Sequence, residues 1–183
     1  HTGYTREDSW NHNEAPEVIA EVVSWDANGH ATVWNIDERA DGLIDRVEHT
    51  TWNADGTLAE RRIVAESASF LTRIETRVFD SAENLLSYAI DNRADGTIEQ
   101  LETYGYDSSG NQTTFSGERF GELQESWEAE YDANGQETHY QRDSNADGTW
   151  DYSRESQYDA DGRQIWYARD DDGDGTADYT FEA

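Results

Sequence analysis

Two turn signatures alternate along this sequence, and the pair recurs every 27 residues, except that the repeat containing Gly121 is two residues shorter. The clearest copies lie near the end of the chain. There, a Tyr-Asp-Ala-Asx-Gly turn at residues 131–135 and 158–162 alternates with a longer Asp-rich loop at residues 143–151 and 170–178. Self-similarity at a fixed period of this length indicates a repeat architecture, in which each repeat supplies the same supersecondary unit.

The shorter signature recurs six times and predicts six β-hairpins. An aromatic residue ends a strand, Asp or Asn follows with a side chain that can bond to the backbone ahead, and Gly then accepts a positive φ. This order is typical of a type I turn followed by a bulge. The last residues of the six copies are Gly29, Gly56, Glu83, Gly110, Gly135 and Gly162.

The longer signature falls midway between these turns and completes the pattern of strands. It occupies residues 37–45, 91–99, 143–151 and 170–178, and it is degenerate around Ser69 and Gly121. Twelve turns imply about thirteen strands, and the roughly seven to nine residues between turns suit strands rather than helices. We therefore predict an all-β fold, an antiparallel meander of about 12 to 13 strands built from double-hairpin repeats. The period leaves a barrel, a sandwich and an open sheet as alternatives.

Residues 17–183 are expected to form a single β-repeat domain, and residues 1–16, which lie outside the repeat, an N-terminal arm. The strand after Gly148 shows the alternation of a half-buried sheet, with polar residues between the members of one face. That face is expected to consist of Trp150, Tyr152, Arg154, Ser156 and Tyr158.

The charge of the chain limits its partners. All 13 basic residues are Arg, and 41 acidic residues leave a net charge of -28. Such a surface repels nucleic acid and anionic membranes and attracts cations. No apolar run approaches the length of a membrane-spanning helix, and the absence of Cys excludes disulfides and thiolate metal sites. The acidity favours the cell exterior or a high-salt environment.

Two of the longer loops carry a pattern typical of Ca²⁺ binding. Ca²⁺ takes six to eight oxygen ligands, and a D-x-[DN]-x-D-G loop wraps alternate side chains around the ion while Gly permits the sharp turn. Converging carboxylates also repel one another if unpaired, which favours an ion over a solvated turn, the alternative. The predicted ligands are Asp143, Asn145, Asp147 and Asp151 in one loop, and Asp170, Asp172, Asp174 and Asp178 in the other.

These two loops resemble the Asp-rich calcium loops of EF-hand, dockerin and thrombospondin calcium-repeat proteins. The acid that those families place at the twelfth position is absent, because Arg154 and Phe181 stand there. The resemblance therefore implies Ca²⁺ binding without the usual bidentate ligand, at reduced affinity.

The other two loops carry arginine at the third position. Arg39 lies between Asp37 and Asp41 in the sequence, and Arg93 lies in the same way between two acids, Asp91 and Asp95. A guanidinium can pair with two carboxylates at once. We predict that the arginine takes the place of the metal in these loops.

The repeated Tyr-Asp copies at residues 131–135 and 158–163 resemble the motif of bacterial RHS or YD-repeat proteins. The resemblance extends over most of residues 17–183, although the period here is longer. It implies a secreted or surface-exposed bacterial β-repeat protein and no enzymatic activity.

Other candidate sites give weaker signals. His1 and His12 are a candidate metal-binding pair, and an amino-terminal His resembles the copper brace of lytic polysaccharide monooxygenases, with a plain surface histidine as the alternative. No Ser-His-Asp order, phosphate loop or nucleophile elbow is present, so we do not expect an enzyme. The tryptophans either pack in a core or form a platform for sugar rings: Trp10, Trp25, Trp34, Trp52, Trp127, Trp150 and Trp166.

The sequence thus predicts an extracellular or cell-surface bacterial protein with a structural or adhesive role and Ca²⁺ as its ligand. An open sheet edge would also let copies of the chain assemble by strand addition, with the arm as donor. A carbohydrate-binding module that recognises surface glycans is the alternative. A third reading is that the acidity is an adaptation to high salt without any specific ion.

Overall fold

The computed structural model describes residues 18–65 and 72–183 of the chain. Within them the chain forms thirteen antiparallel strands and no helix, and the strands follow one another in chain order as an open meander. The predicted antiparallel meander is confirmed, and the open sheet is the one of the three predicted alternatives that is found. The predicted arm, with His1, Trp10 and His12, and the degenerate turn around Ser69 lie outside the described residues.

The chain divides into two compact units, the first of which ends at Glu99. Its strands are β1 (Ile19–Trp25), β2 (Ala31–Asp37), β3 (Arg46–Trp52), β4 (Leu58–Ala65), β5 (Arg73–Phe79) and β6 (Leu85–Asp91).

One face of the first unit is a ladder of ion pairs. Cross-strand register aligns Trp34 with Glu48, Glu48 with Ile63, and Ile63 with Glu75. Both glutamates are bridged by two arginines at N–O distances of 2.6 to 3.2 Å: Glu48 by Arg46 and Arg61, and Glu75 by Arg73 and Arg77. Acidic and basic side chains therefore occupy positions that aliphatic residues usually fill in the core of a sheet protein.

The second unit begins at Gln100 and contains seven strands. They are β7 (Gln100–Tyr106), β8 (Gln112–Arg119), β9 (Glu122–Tyr131), β10 (Glu137–Asp143), β11 (Tyr152–Tyr158), β12 (Gln164–Asp170) and β13 (Tyr179–Glu182).

The two faces of the second unit differ in chemistry. One face is aromatic, because register aligns Tyr104 with Phe115 and Phe115 with Trp127. The opposite face is hydrophilic and includes a Thr103–Ser116 hydrogen bond of 2.7 Å. In β11 the expected alternation is seen around Ser156, which is buried while its neighbours are exposed. Trp150 precedes that strand and lies in the loop.

The six predicted hairpin turns are all present, with the predicted bulges. In the first of them, the Asp26 N–H donates to the His30 carbonyl at 2.9 Å, and the Gly29 N–H donates to the Asp26 carbonyl at 3.2 Å. The same pair of bonds recurs in the other five turns, and the strand register shifts beside each turn. Glu83 adopts a φ of 64° where the other copies have glycine.

Little apolar side-chain surface is fully withdrawn from solvent. Among the described residues no large side chain is completely buried, and the buried apolar residues are Ala31, Ile36, Ile90 and Ala129. Six acids are also buried, and four of them begin the longer loops: Asp37, Asp91, Asp143 and Asp170. Hydrogen bonding at these loops is therefore a substantial part of what holds the chain together.

Candidate metal centre

Four nine-residue loops share one backbone arrangement: residues 37–45, 91–99, 143–151 and 170–178. The aspartate at the first position ends a strand, and its carboxylate turns back to accept N–H groups of its own loop. The glycine at the sixth position donates to it at 2.7 to 2.9 Å in all four loops. That glycine has a φ of 83 to 88°, the left-handed conformation that the sequence pattern predicts there.

The acid at the ninth position closes each loop. Its carboxylate accepts the N–H of the second residue at 2.7 to 2.8 Å, and its own N–H donates to the residue just before the loop at 2.8 to 2.9 Å. Asp45 and Glu99 fill this position in the arginine-containing loops, but neither was among the residues predicted there. The signal was available, since an acid stands eight residues after the first aspartate in every copy.

The third position distinguishes the loops. The Arg39 guanidinium bonds to Asp45 through Nη2, and its Nε lies 3.9 Å from Asp41 Oδ2. In the equivalent loop, Arg93 lies 3.8 Å from Glu99 and 4.0 Å from Asp95. The guanidinium therefore sits between the acids of the fifth and ninth positions.

The aspartate at the first position has other partners. Asp37 and Asp91 each accept three backbone N–H groups at 2.7 to 3.2 Å. The first-position carboxylate is thus held by the backbone, and the arginine reaches the acid at the ninth position instead.

Asn145 takes the third position in the loop at residues 143–151. Its amide Nδ2 donates to Asp151 Oδ1 at 3.2 Å, and its Oδ1 accepts the Asp147 N–H at 2.9 Å. The amide nitrogen therefore reaches the ninth-position acid as the arginines do, but it brings no positive charge.

The loop at residues 170–178 is the one that brings an acid to the third position. Carboxylate oxygens of Asp170, Asp172 and Asp174 all lie within 4.8 Å of one another. Two ligands of one Ca²⁺ ion are separated by at most about twice the metal–oxygen distance of 2.3–2.6 Å. The three oxygens fit that limit. Asp178, the fourth predicted ligand, is not in this group and accepts the Asp171 N–H at 2.7 Å.

Two carboxylates of these loops, those of Asp170 and Asp147, have a lowered pKa and are held in the ionised form. Burial raises the pKa of Asp170, but backbone N–H groups of Gly175, Gly173 and Asp172 outweigh it and bring the pKa below the usual value. The hydroxyl and N–H of Thr149 lower the pKa of Asp147 in the same sense. Ionised carboxylates are the form that binds a hard cation.

A close backbone approach joins the two Asp-rich loops. Gly173 has a φ of 71°, and a Cβ built there would lie 2.1 Å from the Trp150 carbonyl oxygen and 3.1 Å from Asp151 Cα. Only glycine fits this position, so the 170–178 loop rests directly on the backbone of the 143–151 loop. The ligand geometry of one loop therefore depends on the other.

Other histidine and tryptophan side chains lie apart from the four loops. His30 packs against Trp52 with ring centroids 5.1 Å apart and the ring planes tilted by 31°, and its Nδ1 is 3.0 Å from Asp26 Oδ2. Trp127 lies on the aromatic face of the second unit, while Trp166 pairs with Gln157 on the opposite face. Within residues 18–65 and 72–183, no helix has the length and apolarity to cross a membrane.

Comparisons with known proteins add little to this geometry. No family model matches the sequence, and none of the curated proteins matches it. Among solved structures, the Tc holotoxin pore of Photorhabdus luminescens is 13% identical over 87% of this chain and 10% of that chain, with a TM-score of 0.38.

A TcdB2-TccC3 structure is 11% identical over 92% of this chain and 12% of that chain, with a TM-score of 0.43. A Bacteroides fragilis protein of unknown function is 10% identical over 92% of this chain and 93% of that chain, with a TM-score of 0.19. The chain thus spans about a tenth of the toxin chains. These likenesses are too weak to bear on what it does.

Proposed function

We propose that this chain is an extracellular structural β-repeat protein whose 170–178 loop binds Ca²⁺. The observation that carries the proposal is the exchange at the third position, where Asp172 stands in the place of Arg39 and Arg93. In those two loops a cationic side chain lies beside the acids of the fifth and ninth positions. At residues 170–178 the carboxylates of Asp170, Asp172 and Asp174 converge, and none of the three has an ion pair with a described residue. An ion would supply the missing positive charge.

The ligand set favours Ca²⁺ over other metals and a site of low affinity. All candidate ligands are oxygens, which suits Ca²⁺ and Mg²⁺, but Mg²⁺ requires stricter octahedral geometry and keeps its waters. Phe181 stands at the twelfth position, so no bidentate carboxylate completes the loop. Loops of this kind with fewer charged ligands bind at about 10⁻⁴ to 10⁻³ M, the range of extracellular modules. An exterior location follows from that affinity.

Assembly of copies through the sheet edge is the second part of the proposal. Among the strands that the structure describes, β1 is the first in the sheet order, and it exposes apolar side chains that an edge strand normally avoids. Ile19, Val23 and Trp25 are 49, 54 and 58% exposed. Strand addition at this edge would cover them. In analytical ultracentrifugation, larger species that form with Ca²⁺ would support this part, and a monomer at all concentrations would exclude it.

Thermal unfolding at fixed ionic strength tests the calcium site. In millimolar Ca²⁺ the wild-type midpoint should rise above its value in EDTA, by the equivalent of about 1–2 kcal/mol for a site of this affinity. Equal Mg²⁺ should have a smaller effect. Asp172→Asn, which removes one ligand charge, should weaken the response. Asp172→Arg, which recreates the arginine loops, should raise the midpoint in EDTA and also remove the response.

Asp161→Asn is the matched control. It makes the same change in charge at an acid that is 76% exposed in a hairpin turn outside the site. The Ca²⁺ response should persist in this variant. An equal loss in Asp161→Asn and Asp172→Asn, or an equal response to Ca²⁺ and Mg²⁺, would show general screening and overturn the proposal. Asp147→Asn would report separately on the loop at residues 143–151, whose Ca²⁺ binding stays a prediction.

A further inference from the structure

A continuous stripe of aromatic rings crosses the second unit on one face of its sheet. Each of the seven strands of the unit contributes one ring, and Tyr167 of β12 joins Tyr152 through a hydrogen bond. Successive centroids are 5.5 to 6.2 Å apart where the rings are in direct contact. We call this the aromatic stripe: Tyr104, Phe115, Trp127, Tyr140, Tyr152, Tyr167 and Tyr179.

Within the second unit, no second layer lies above the aromatic stripe. Within the second unit each strand packs only on its sequence neighbours, so the rings are shielded chiefly by one another. They are half-buried, and Tyr179 and the adjacent Phe181 are 49 and 39% exposed. Contiguous aromatic surface of this kind on a soluble protein marks an interaction site.

The stripe already binds guanidinium groups of its own chain. Arg154 lies over the Tyr140 ring at 4.5 Å, and Arg169 lies over the Tyr179 ring at 5.9 Å. Each arginine also has an acid partner at the border of the stripe, Glu137 at 2.6 Å and Asp171 at 2.8 Å. This face therefore contains two copies of one arrangement, in which an aromatic ring lies beneath a guanidinium and a carboxylate lies beside that guanidinium.

The negative charge of the second unit should also attract cationic groups of a partner molecule. Residues 100–183 contain 21 acidic residues and 5 arginines. A cation is attracted by such a field, and the face of an electron-rich ring adds a directional contribution that favours the planar guanidinium over an ammonium. An anionic partner would be repelled, and a second copy would bring the same negative charge.

We propose that the aromatic stripe is a docking surface for an arginine-rich segment of a protein partner. Guanidinium groups of the partner stack on rings such as Trp127 and Tyr152, and surrounding carboxylates neutralise them. The arginines of the ion-pair ladder bind glutamates of the first unit, and the aromatic stripe lies in the second. The proposal therefore concerns the second unit alone. It is independent of Ca²⁺ binding.

A comparison of two peptides of equal charge tests this proposal. Calorimetric titration of the full chain with hexa-arginine and hexa-lysine, in 150 mM NaCl, should give a Kd for hexa-arginine that is lower by roughly five-fold or more. Non-specific attraction to an acidic surface would not distinguish the peptides, because both carry six positive charges. Equal affinities for the wild type would overturn the proposal without any variant.

Variants of the stripe should remove the preference and leave the electrostatic background. In Trp127→Leu and Tyr152→Leu the two peptides should bind with similar affinity, while the salt dependence of hexa-lysine binding stays as in the wild type. Trp166→Leu, on the opposite face of the same unit, should keep the preference. Retention of the preference in both stripe variants would overturn the proposal.

Positive results in two further measurements would identify a different occupant of the aromatic stripe. Binding of a neutral soluble polysaccharide that is lost in Trp127→Leu, with no preference between the peptides, would make the face a glycan site. A dimer that forms at micromolar concentration and dissociates in Trp127→Leu would identify a second copy as the occupant. Either result contradicts the proposal.

Discussion

At the scale of single residues, Gly173 is the position where the loop pair tolerates least change. Gly173→Ala places a Cβ 2.1 Å from the Trp150 carbonyl oxygen, so the backbone of one loop must move. The φ of 71° adds the cost of a left-handed alanine. We expect the free energy of unfolding, measured by urea titration, to fall by about 2–4 kcal/mol.

Gly175→Ala is the matched control for that change. Gly175 lies in the same loop with a φ of 83°, but a Cβ built there meets nothing within 4 Å. This substitution should cost only the left-handed conformation, about 1–2 kcal/mol. If the two variants lose the same stability, the contact between the loops contributes nothing.

The left-handed residues also show what could not be predicted at this scale. The left-handed conformation of the glycine at the sixth position of the longer loops was predicted, because glycine adopts a large positive φ without steric cost. The fourth position is left-handed as well, yet three of the loops place alanine there: Ala40, Ala94 and Ala146, with φ of 51 to 58°. Alanine carries no turn signal, so the conformation is imposed by the surrounding hydrogen bonds rather than encoded by the residue.

At the scale of strands, the ion-pair ladder of the first unit replaces part of a core. Glu48 is 6% exposed and is held by Arg61 through Nε at 2.9 Å and Nη2 at 2.6 Å. Glu48→Leu leaves that guanidinium without its carboxylate, and we expect urea titration to show a loss of about 1–3 kcal/mol. Glu48→Leu combined with Arg61→Leu should recover more than half of the loss, because apolar pairs of similar volume replace partly buried ion pairs well.

The double variant leaves Arg46 with a partner, Glu38, at 2.5 Å. Arg119→Leu is the control, since that exposed guanidinium has no ion pair among the residues that the structure describes. It should change the stability little. A double variant no more stable than Glu48→Leu would mean that the ladder contributes more than a packed apolar pair.

The strands themselves were predictable, whereas the chemistry of their faces was only partly so. Turn residues act locally, so in five of the six hairpins an aspartate bonded to the N–H groups two and four residues ahead fixes the turn without help from distant contacts. The chemistry of each face depends on which residues lie opposite one another on neighbouring strands, and this register cannot be read from the sequence. Arg61 and Glu48 are 13 residues apart, and their pairing became visible only when β3 and β4 were aligned.

The candidate metal site was also predictable only in part. The repeated positions of the longer loops predicted where carboxylates converge, and Asp170, Asp172 and Asp174 do lie together. The sequence did not show that backbone N–H groups would occupy the first-position aspartates, or that Asn145 would bond to Asp151. Those contacts depend on which side-chain oxygens point into the loop, and the backbone conformation of the folded loop determines this.

At the scale of the whole molecule, two opposing effects of acid should give a maximum of stability. Neutralising part of a net charge of -28 lessens self-repulsion, so the thermal midpoint should first rise as the pH falls from 7. Side-chain N–H groups of Asn84 and Asn111 hold the pKa values of Asp80 and Asp107 below their usual value of 3.8. A depressed folded-state pKa contributes stability above the unfolded value, and this is lost as the pH falls through the folded value. The midpoint should therefore drop below about pH 3.8. In 1 M NaCl, screening should remove the rise and leave the short-range loss, and a rise that persisted there would contradict self-repulsion as its cause.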